Sequence, residues 1–247
     1  MDHIRSSLCV ALDGSDRLWI RSMAQDLSGR VGWLKLGLEA FTAHGPDLVR
    51  EVADLGTPVF LDLKLHDIPV TVRRAARNCA ATGAAMFNVH AAGGREMLEA
   101  AVDGAREGEC HIVPKVLAVT VLTSLDQEIL ADLGAGRSTD DLVTRWSELA
   151  KGCGLDGVVA SAHEASLVRK TCGESFLIVT PGIRPKGATD DDQKRVLSPA
   201  RALRAGADVL VIGRPITRSP DPASAVDELV SEIERDFAVR TKVSPRG

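Results

Sequence analysis

The feature that most constrains the fold is a regular alternation of short β-rich runs with longer amphipathic stretches. Runs rich in apolar and branched residues predict eight strands, at 8–12, 31–36, 58–64, 86–90, 112–121, 157–160, 176–180 and 208–212. A helical pattern follows each of them, at 16–27, 39–55, 71–81, 95–105, 140–153, 165–172, 199–205 and 222–237. Strict alternation is typical of a parallel sheet with helices outside it. Eight such units in 247 residues predict an α/β fold of the (β/α)8 type, a TIM barrel.

The competing architecture is an open, doubly wound sheet. It usually has fewer strands, and no G-x-G-x-x-G follows the first predicted strand. No linker divides the chain, so we expect a single barrel domain over 1–238 and a flexible tail over 239–247. The stretch 184–196, rich in Pro, Gly and Asp, predicts a long loop after strand seven that could act as a lid.

Composition excludes several classes of protein. The net charge of −4 and the 3% of aromatic residues, with no Tyr, argue against a nucleic-acid binder. The five cysteines form no C-x-x-C pair, which favours a reduced, cytoplasmic chain without a thiolate metal site. The first residues lack the apolar core of a signal peptide, and no run approaches the ~20 apolar residues that cross a bilayer. We therefore expect no membrane partner.

Charged residues lie where three neighbouring strands end. Asp13 follows strand one, Lys35 ends strand two, and Asp62 and Lys64 share one face of strand three because side chains alternate along a strand. In a barrel these ends meet at the mouth where active sites lie. A structural ring of ion pairs is the simpler interpretation, but alternating Asp and Lys on three adjacent strands favours a functional site.

A second group of residues follows strands seven and eight. Gly182 and Arg184 come after one strand, and Gly213 and Arg214 after the other. These barrels bind phosphate at this place, with glycine amides and arginine as donors. The pattern favours a phosphorylated small substrate.

Other candidates carry less weight. His90 ends strand four and is more simply a rim histidine, and Thr123 and Ser124 could bind a ligand or cap a helix. His163 and Glu164 lack the second histidine of H-E-x-x-H, so no zinc site is expected there.

At this point the sequence resembles a known family. The run 61–71 contains D-x-K-x-x-D (Asp62, Lys64, Asp67) followed by Ile-Pro-x-Thr, which resembles the signature of the orotidine 5′-phosphate decarboxylase family. Further runs similar to family motifs occur in the family's order, at 10–13, 35–37, 89–94, 119–124, 181–184 and 212–217. The resemblance covers nearly the whole chain outside the terminal tail.

The resemblance implies an activity. It is the loss of carbon dioxide from orotidine 5′-phosphate to give uridine 5′-phosphate, the last step of de novo pyrimidine synthesis, with no metal or cofactor. By this resemblance, Lys64 protonates C6, Asp62 faces the substrate carboxylate, Lys35 bridges Asp62 and the ribose, and Asp13 accepts a ribose hydrogen bond.

The resemblance also implies contacts farther from the reacting carbon. Thr123 would contact the pyrimidine, and Pro181 would belong to the substrate-binding residues. Arg184, Gln193, Gly213 and Arg214 would serve the phosphate. Asp67, Ile68 and Thr71 would reach the neighbouring subunit's site, so a homodimer is expected.

Two alternatives stay open at this point. One is the sister group of Mg²⁺-dependent keto-sugar-phosphate decarboxylases and synthases, which shares D-x-K-x-x-D but has Glu where this chain has Lys35. A lysine there would repel the ion. The other is a non-catalytic phosphoribosyl-binding barrel, which fold alone does not exclude.

Overall fold

Eight parallel strands close into a barrel in the computed structural model, which describes residues 3–184 and 197–241. The strands are β1 (Leu8–Ala11), β2 (Trp33–Gly37), β3 (Val59–Leu65), β4 (Met86–His90), β5 (Lys115–Val119), β6 (Gly157–Val159), β7 (Leu177–Thr180) and β8 (Val209–Ile212). Each pairs with the next in sequence, and β8 pairs with β1. The predicted (β/α)8 barrel is confirmed.

Helices surround the strands. They are α1 (His3–Ser6), α2 (Arg17–Leu27), α3 (Leu38–Ala53), α4 (Pro69–Ala80), α5 (Gly94–Glu107), α6 (Gln127–Asp132), α7 (Thr139–Gly152), α8 (Ala165–Cys172), α9 (Pro199–Arg204), α10 (Arg214–Thr217) and α11 (Pro222–Thr241). A 3₁₀ turn at Ala91–Gly93 precedes α5. Asp16 caps α2 by accepting hydrogen bonds from the backbone N–H groups of Leu18 and Trp19.

The alternation of side chains along each strand divides the apolar residues into two cores. On β1, Cys9 and Ala11 point into the barrel, whereas Leu8 and Val10 pack with the helices. The interior core also holds Phe60, Met86, Leu117, Val179, Val209 and Val211. These side chains fill the axis of the barrel below its mouth, so the charged residues above them rest on an apolar floor.

Differences from the predicted elements have local causes. The predicted strand 112–121 begins only at Lys115, directly after Pro114, which has no N–H to donate to a ladder. The short helices α1 and α10 were not predicted, because four residues carry no periodic signal. In α3, Gly45 (φ 66°) followed by Pro46 kinks a helix predicted as regular.

Two predicted features fall largely outside the described residues. Of the loop predicted over 184–196, only Arg184 is described, and of the tail predicted over 239–247, residues 242–247 are not. The boundary at 238 therefore stays a prediction. In the part of the chain that is described, no helix has the length and apolarity needed to cross a bilayer.

Candidate active site

A cavity of about 800 Å³ opens at the carboxyl ends of the strands. Parallel strands end on the same side of the barrel, so side chains from distant parts of the sequence converge there. Of the residues proposed from the sequence, eleven line this cavity: Asp13, Lys35, Asp62, Lys64, Thr123, Ser124, Pro181, Gly182, Arg184, Gly213 and Arg214. Gln193 lies outside the described residues.

Four of these residues, Asp13, Lys35, Asp62 and Lys64, form an alternating chain of charges that we call the Asp–Lys array. The Lys35 Nζ donates to Asp13 Oδ1 at 2.9 Å and lies 3.4 Å from Asp62 Oδ2. The Lys64 Nζ donates to Asp62 Oδ1 at 2.6 Å. Exposure of the side chain falls from 58% at Asp13 and 29% at Lys64 to 14% at Asp62 and 9% at Lys35. The two inner charges are therefore buried as a pair, which is the condition under which buried charges are tolerated.

The two buried members of the array are held in their charged forms. Burial alone would raise the pKa of Asp62, but the charges of Lys35 and Lys64 and hydrogen bonds from Lys64 and Asn88 keep this pKa below its usual value. Burial alone would lower the pKa of Lys35, but Asp62 and Asp13 raise it above its usual value. The array is thus an ionised carboxylate enclosed by ammonium groups, ready to act on a charged ligand.

The backbone that carries Lys64 is irregular. Lys64 has φ 54°, and among residues 3–184 and 197–241 it is the one non-glycine residue with positive φ. The pairing of β3 with β4 shifts at the same place: Leu61 pairs with Phe87, but Leu65 pairs with Val89, so four steps on β3 match two on β4. Such a bulge re-aims side chains next to active sites. Here it brings the Lys64 ammonium back onto Asp62.

Asn88 is a site residue that the sequence reasoning missed. It lies in the middle of β4 and is fully buried. Its Oδ1 accepts from the Lys64 backbone N–H, and its Nδ2 donates to Asp62 Oδ1, both at 2.7 Å. The reasoning looked for charges at strand ends, whereas the available signal was an amide among apolar neighbours at an inward-facing position.

Arginines dominate the part of the cavity wall that follows β7 and β8. Arg184 follows β7, where an isolated bridge pairs Ile183 with Leu197, and Arg214 begins α10 after Gly213. Arg218, which was not predicted, also lines the cavity. Among the described lining residues, five are cationic and three are acidic (Lys35, Lys64, Arg184, Arg214 and Arg218 against Asp13, Glu39 and Asp62). This balance favours an anionic ligand.

Three of the proposed residues do not join the cavity of this chain. Asp67 is exposed, and its Oδ1 accepts from the Ile68 N–H at 2.6 Å rather than from a lysine. Ile68 is 62% exposed, and Thr71 is also on the surface. They lie at the start of α4 beside exposed Val70, an apolar patch next to the mouth.

The histidine candidates lie at the edge of the site. His90 is half-buried, and its ring centroid is 5.4 Å from that of His66. Burial, then His66 and Lys64, lower the pKa of His90, with Asp62 acting in the opposite direction. Next to His163, the Glu164 carboxylate is buried and accepts from the Ser161 N–H at 2.9 Å. Within the described residues no group of three His, Cys, Asp or Glu side chains could hold a metal ion.

Comparison with known proteins adds to this geometry. A sequence model of the orotidine 5′-phosphate decarboxylase / HUMPS family matches residues 6–229. The chain is 50% identical over 236 residues to an orotidine 5′-phosphate decarboxylase of Moorella thermoacetica, covering 94% of each chain. It is 52% identical over 218 residues to one of Anaeromyxobacter sp. (strain K), covering 88% of this chain and 94% of the relative.

A solved structure shows the same architecture. The crystal structure of orotidine 5′-phosphate decarboxylase from Lactobacillus acidophilus superposes with a TM-score of 0.82 at 35% identity, covering 92% of this chain and 98% of that one. The sequence and structure comparisons therefore agree over nearly the full length of the barrel.

Proposed function

The chain belongs to the orotidine 5′-phosphate decarboxylase / HUMPS family, and we propose that it converts orotidine 5′-phosphate to uridine 5′-phosphate and carbon dioxide. This reaction is the last step of de novo pyrimidine synthesis. The relatives named above are decarboxylases, so the enzyme class is carboxy-lyase. The proposal includes a cytoplasmic location, which rests on the scattered, unpaired cysteines.

The observation that carries the proposal is the enclosure of Asp62 by two ammonium groups. Lys64 and Lys35 lie 2.6 and 3.4 Å from its two oxygens. A reaction that leaves negative charge on carbon needs a cation fixed in advance where that charge develops. Both lysines line the cavity, and Lys64 is the more exposed of the two, so we assign it to the reacting carbon.

In the proposed step, the bond between C6 and the carboxylate breaks and its electron pair stays on C6. Carbon dioxide leaves, and the Lys64 ammonium donates a proton to C6. The neutral amine then regains a proton from solvent. Lys64 would act twice, first by stabilising the developing carbanion and then as general acid.

Asp62 contributes through repulsion. It is ionised and nearly buried, so a substrate carboxylate beside it meets a like charge in a poorly solvated place. That repulsion disappears when carbon dioxide leaves. Lys35 and Asp13, hydrogen-bonded at 2.9 Å, would meet the ribose hydroxyls.

The phosphate would bind on the arginine wall. Slow reactions of this kind need roughly 20 kcal/mol of barrier lowering, more than one lysine supplies. We propose that Arg184 and Arg214 hold the phosphate, with Pro181 and Gly213 beside it, Thr123 at the pyrimidine and Gln193 on the loop. Binding energy at the phosphate would then favour closure and exclude water from the reacting carbon.

The proposal includes a homodimer in which Asp67, Ile68 and Thr71 complete the partner's site. Two observations support the homodimer. The three residues follow β3 next to the mouth but do not line this chain's own cavity, and Ile68 forms an exposed apolar patch with Val70. An exposed apolar patch at this place is typical of a binding surface.

A Mg²⁺-dependent reaction at the same mouth is less compatible with the array. The Lys35 ammonium lies within 3.4 Å of both Asp13 and Asp62 and occupies the space between these carboxylates. A divalent ion there would meet a fixed positive charge.

The test is an ultraviolet assay of orotidine 5′-phosphate loss with excess chelator and no added metal. We expect conversion to uridine 5′-phosphate. A folded protein that binds uridine 5′-phosphate without turnover would instead be a binding barrel. Activity on a keto-sugar phosphate only after Mg²⁺ is restored would place it in the sister group.

A further inference from the structure

We propose that Asn88 is a positioning residue for the decarboxylation: its amide fixes the Lys64 backbone and the Asp62 carboxylate, and so sets where the Lys64 ammonium points. The inference rests on the proposed function, because it concerns how the proposed proton donor is held. Asn88 does not line the cavity among the described residues, so it would act through its two neighbours rather than on substrate.

The Lys64 backbone adopts a left-handed conformation that needs support. A left-handed conformation costs a non-glycine residue free energy and persists only where its surroundings enforce it. The bulge displaces the Lys64 N–H from the regular β3–β4 ladder, which resumes at Leu65 and Val89. The Asn88 side chain takes the place of a ladder carbonyl by accepting this N–H at 2.7 Å. The hydrogen bond therefore stabilises the conformation that turns Lys64 toward Asp62.

The two hydrogen bonds of the Asn88 amide fix its orientation. The Lys64 N–H requires an acceptor, which is the carbonyl oxygen of Asn88, and the Asp62 carboxylate requires a donor, which is the Asn88 NH2 group. If the amide were reversed, the Asn88 NH2 group would face the Lys64 N–H, and the Asn88 oxygen would face the Asp62 carboxylate. Both partners therefore hold Asn88 in one orientation. The Asn88 side chain connects the Lys64 backbone to the Asp62 carboxylate.

The surroundings of the Asn88 side chain are apolar. Asn88 pairs in register with Leu117 and is followed by Val89, and the interior below it holds Met86 and Phe60. A fully buried amide in such a layer is costly unless it is hydrogen-bonded. Both hydrogen bonds of its side chain in the described structure go to the Asp–Lys array. A packing role alone would be served better by an apolar residue.

The first test compares Asn88→Ala with the wild type. We expect kcat to fall about 100-fold, the size of effect that small misplacement of a catalytic group produces. The affinity for uridine 5′-phosphate should change much less, because this ligand lacks the carboxylate that would lie beside Asp62. Thr82→Val is the control: it removes a buried side-chain hydrogen bond (Thr82 Oγ1 to Cys79 O, 2.6 Å) between α4 and β4, away from the cavity, and should leave kcat unchanged.

The second test uses the isosteric variant Asn88→Asp. The new carboxyl would lie against Asp62 and could replace the amide donor only when it carries a proton. Burial and the charge of Asp62 raise the pKa of such a group. The ratio of its kcat to that of the wild type should therefore rise as the pH falls, which a purely structural defect would not produce.

The outcomes separate clearly. Wild-type kcat in Asn88→Ala, or a pH-independent ratio for Asn88→Asp, would overturn the positioning role. If Asn88→Ala does not fold, the pH dependence of Asn88→Asp decides. Failure of the proposed function would show differently, as a wild-type chain that does not decarboxylate orotidine 5′-phosphate at all.

Discussion

The two walls of the cavity are built in different ways. On the β1–β3 wall, Lys35 and Asp62 are strand residues, nearly buried, and fixed by partners at 2.6–3.4 Å. On the β7–β8 wall, Arg184 and Arg214 lie just after their strands and are half-exposed, and the Arg184 guanidinium donates to the adjacent Ile183 carbonyl. The first wall is set by the sheet, whereas the second depends on loops.

The difference suggests a division of labour. Groups that act on a reacting atom need fixed positions, which strands provide. Groups that grip a remote phosphate gain from loops that can close over it. The predictions that follow test whether the two walls separate chemistry from binding in this way.

The largest effect is expected from Lys64→Ala. Removing the proposed proton donor should lower kcat by about 10⁴-fold or more, with the fold retained because Lys35 still neutralises Asp62. Steady-state kinetics and circular dichroism would check this. Lys115→Ala, at an exposed lysine that begins β5 at the opposite end of the barrel, is the control. Appreciable turnover by the folded variant would remove Lys64 from its role.

A smaller effect is expected from Arg214→Ala on the other wall. Losing a charged contact to phosphate should lower kcat/KM by about 100-fold. If phosphate binding favours closure, part of that loss appears in kcat at saturating substrate. The control is Arg201→Ala, at an exposed arginine of α9. An unchanged kcat would show that Arg214 contributes to substrate binding but not to catalysis.

A third comparison concerns the strained position itself. Lys64→Gly and Lys64→Ala both remove the ammonium, but only glycine adopts φ 54° without steric cost. We expect the glycine variant to be more stable to urea than the alanine variant by about 1 kcal/mol. Equal stabilities would mean that the bulge relaxes once the ammonium is lost.

The smallest effect is expected at His90. Its pKa in the folded protein is lowered by burial, His66 and Lys64, so below about pH 6.5 the unfolded chain binds more protons at this residue than the folded one. The stability that this histidine contributes is present above that pH and is lost as the pH falls. His90→Asn should make the acid-side loss of stability shallower, by less than about 1 kcal/mol because the ring is partly exposed. Exposed His163→Asn should leave the slope unchanged.

Much of the fold could be predicted because the barrel repeats one unit. The alternation of apolar runs sets the eight strands, and the alternation along β3 places Leu61, Leu63 and Leu65 with the helices and Asp62 toward the mouth. The same alternation places Lys64 on the face of Asp62. A two-residue period cannot show the bulge or the left-handed backbone that direct the Lys64 ammonium at Asp62. Asn88 escaped notice for a related reason, since its partners lie 24 and 26 residues away in sequence. Long-range hydrogen bonds of this kind are set by strand register.

The filled axis of the barrel determines how substrate enters and how products leave. Phe60, Met86 and Leu117 close the interior beneath the site, so nothing passes through to the far end. The mouth of the cavity must then serve the incoming nucleotide and both outgoing products. In the proposed reaction, carbon dioxide is released beside Asp62 and has to leave past the nucleotide that remains. Both products therefore leave through the same mouth, and any covering of that mouth would govern the exit of both molecules.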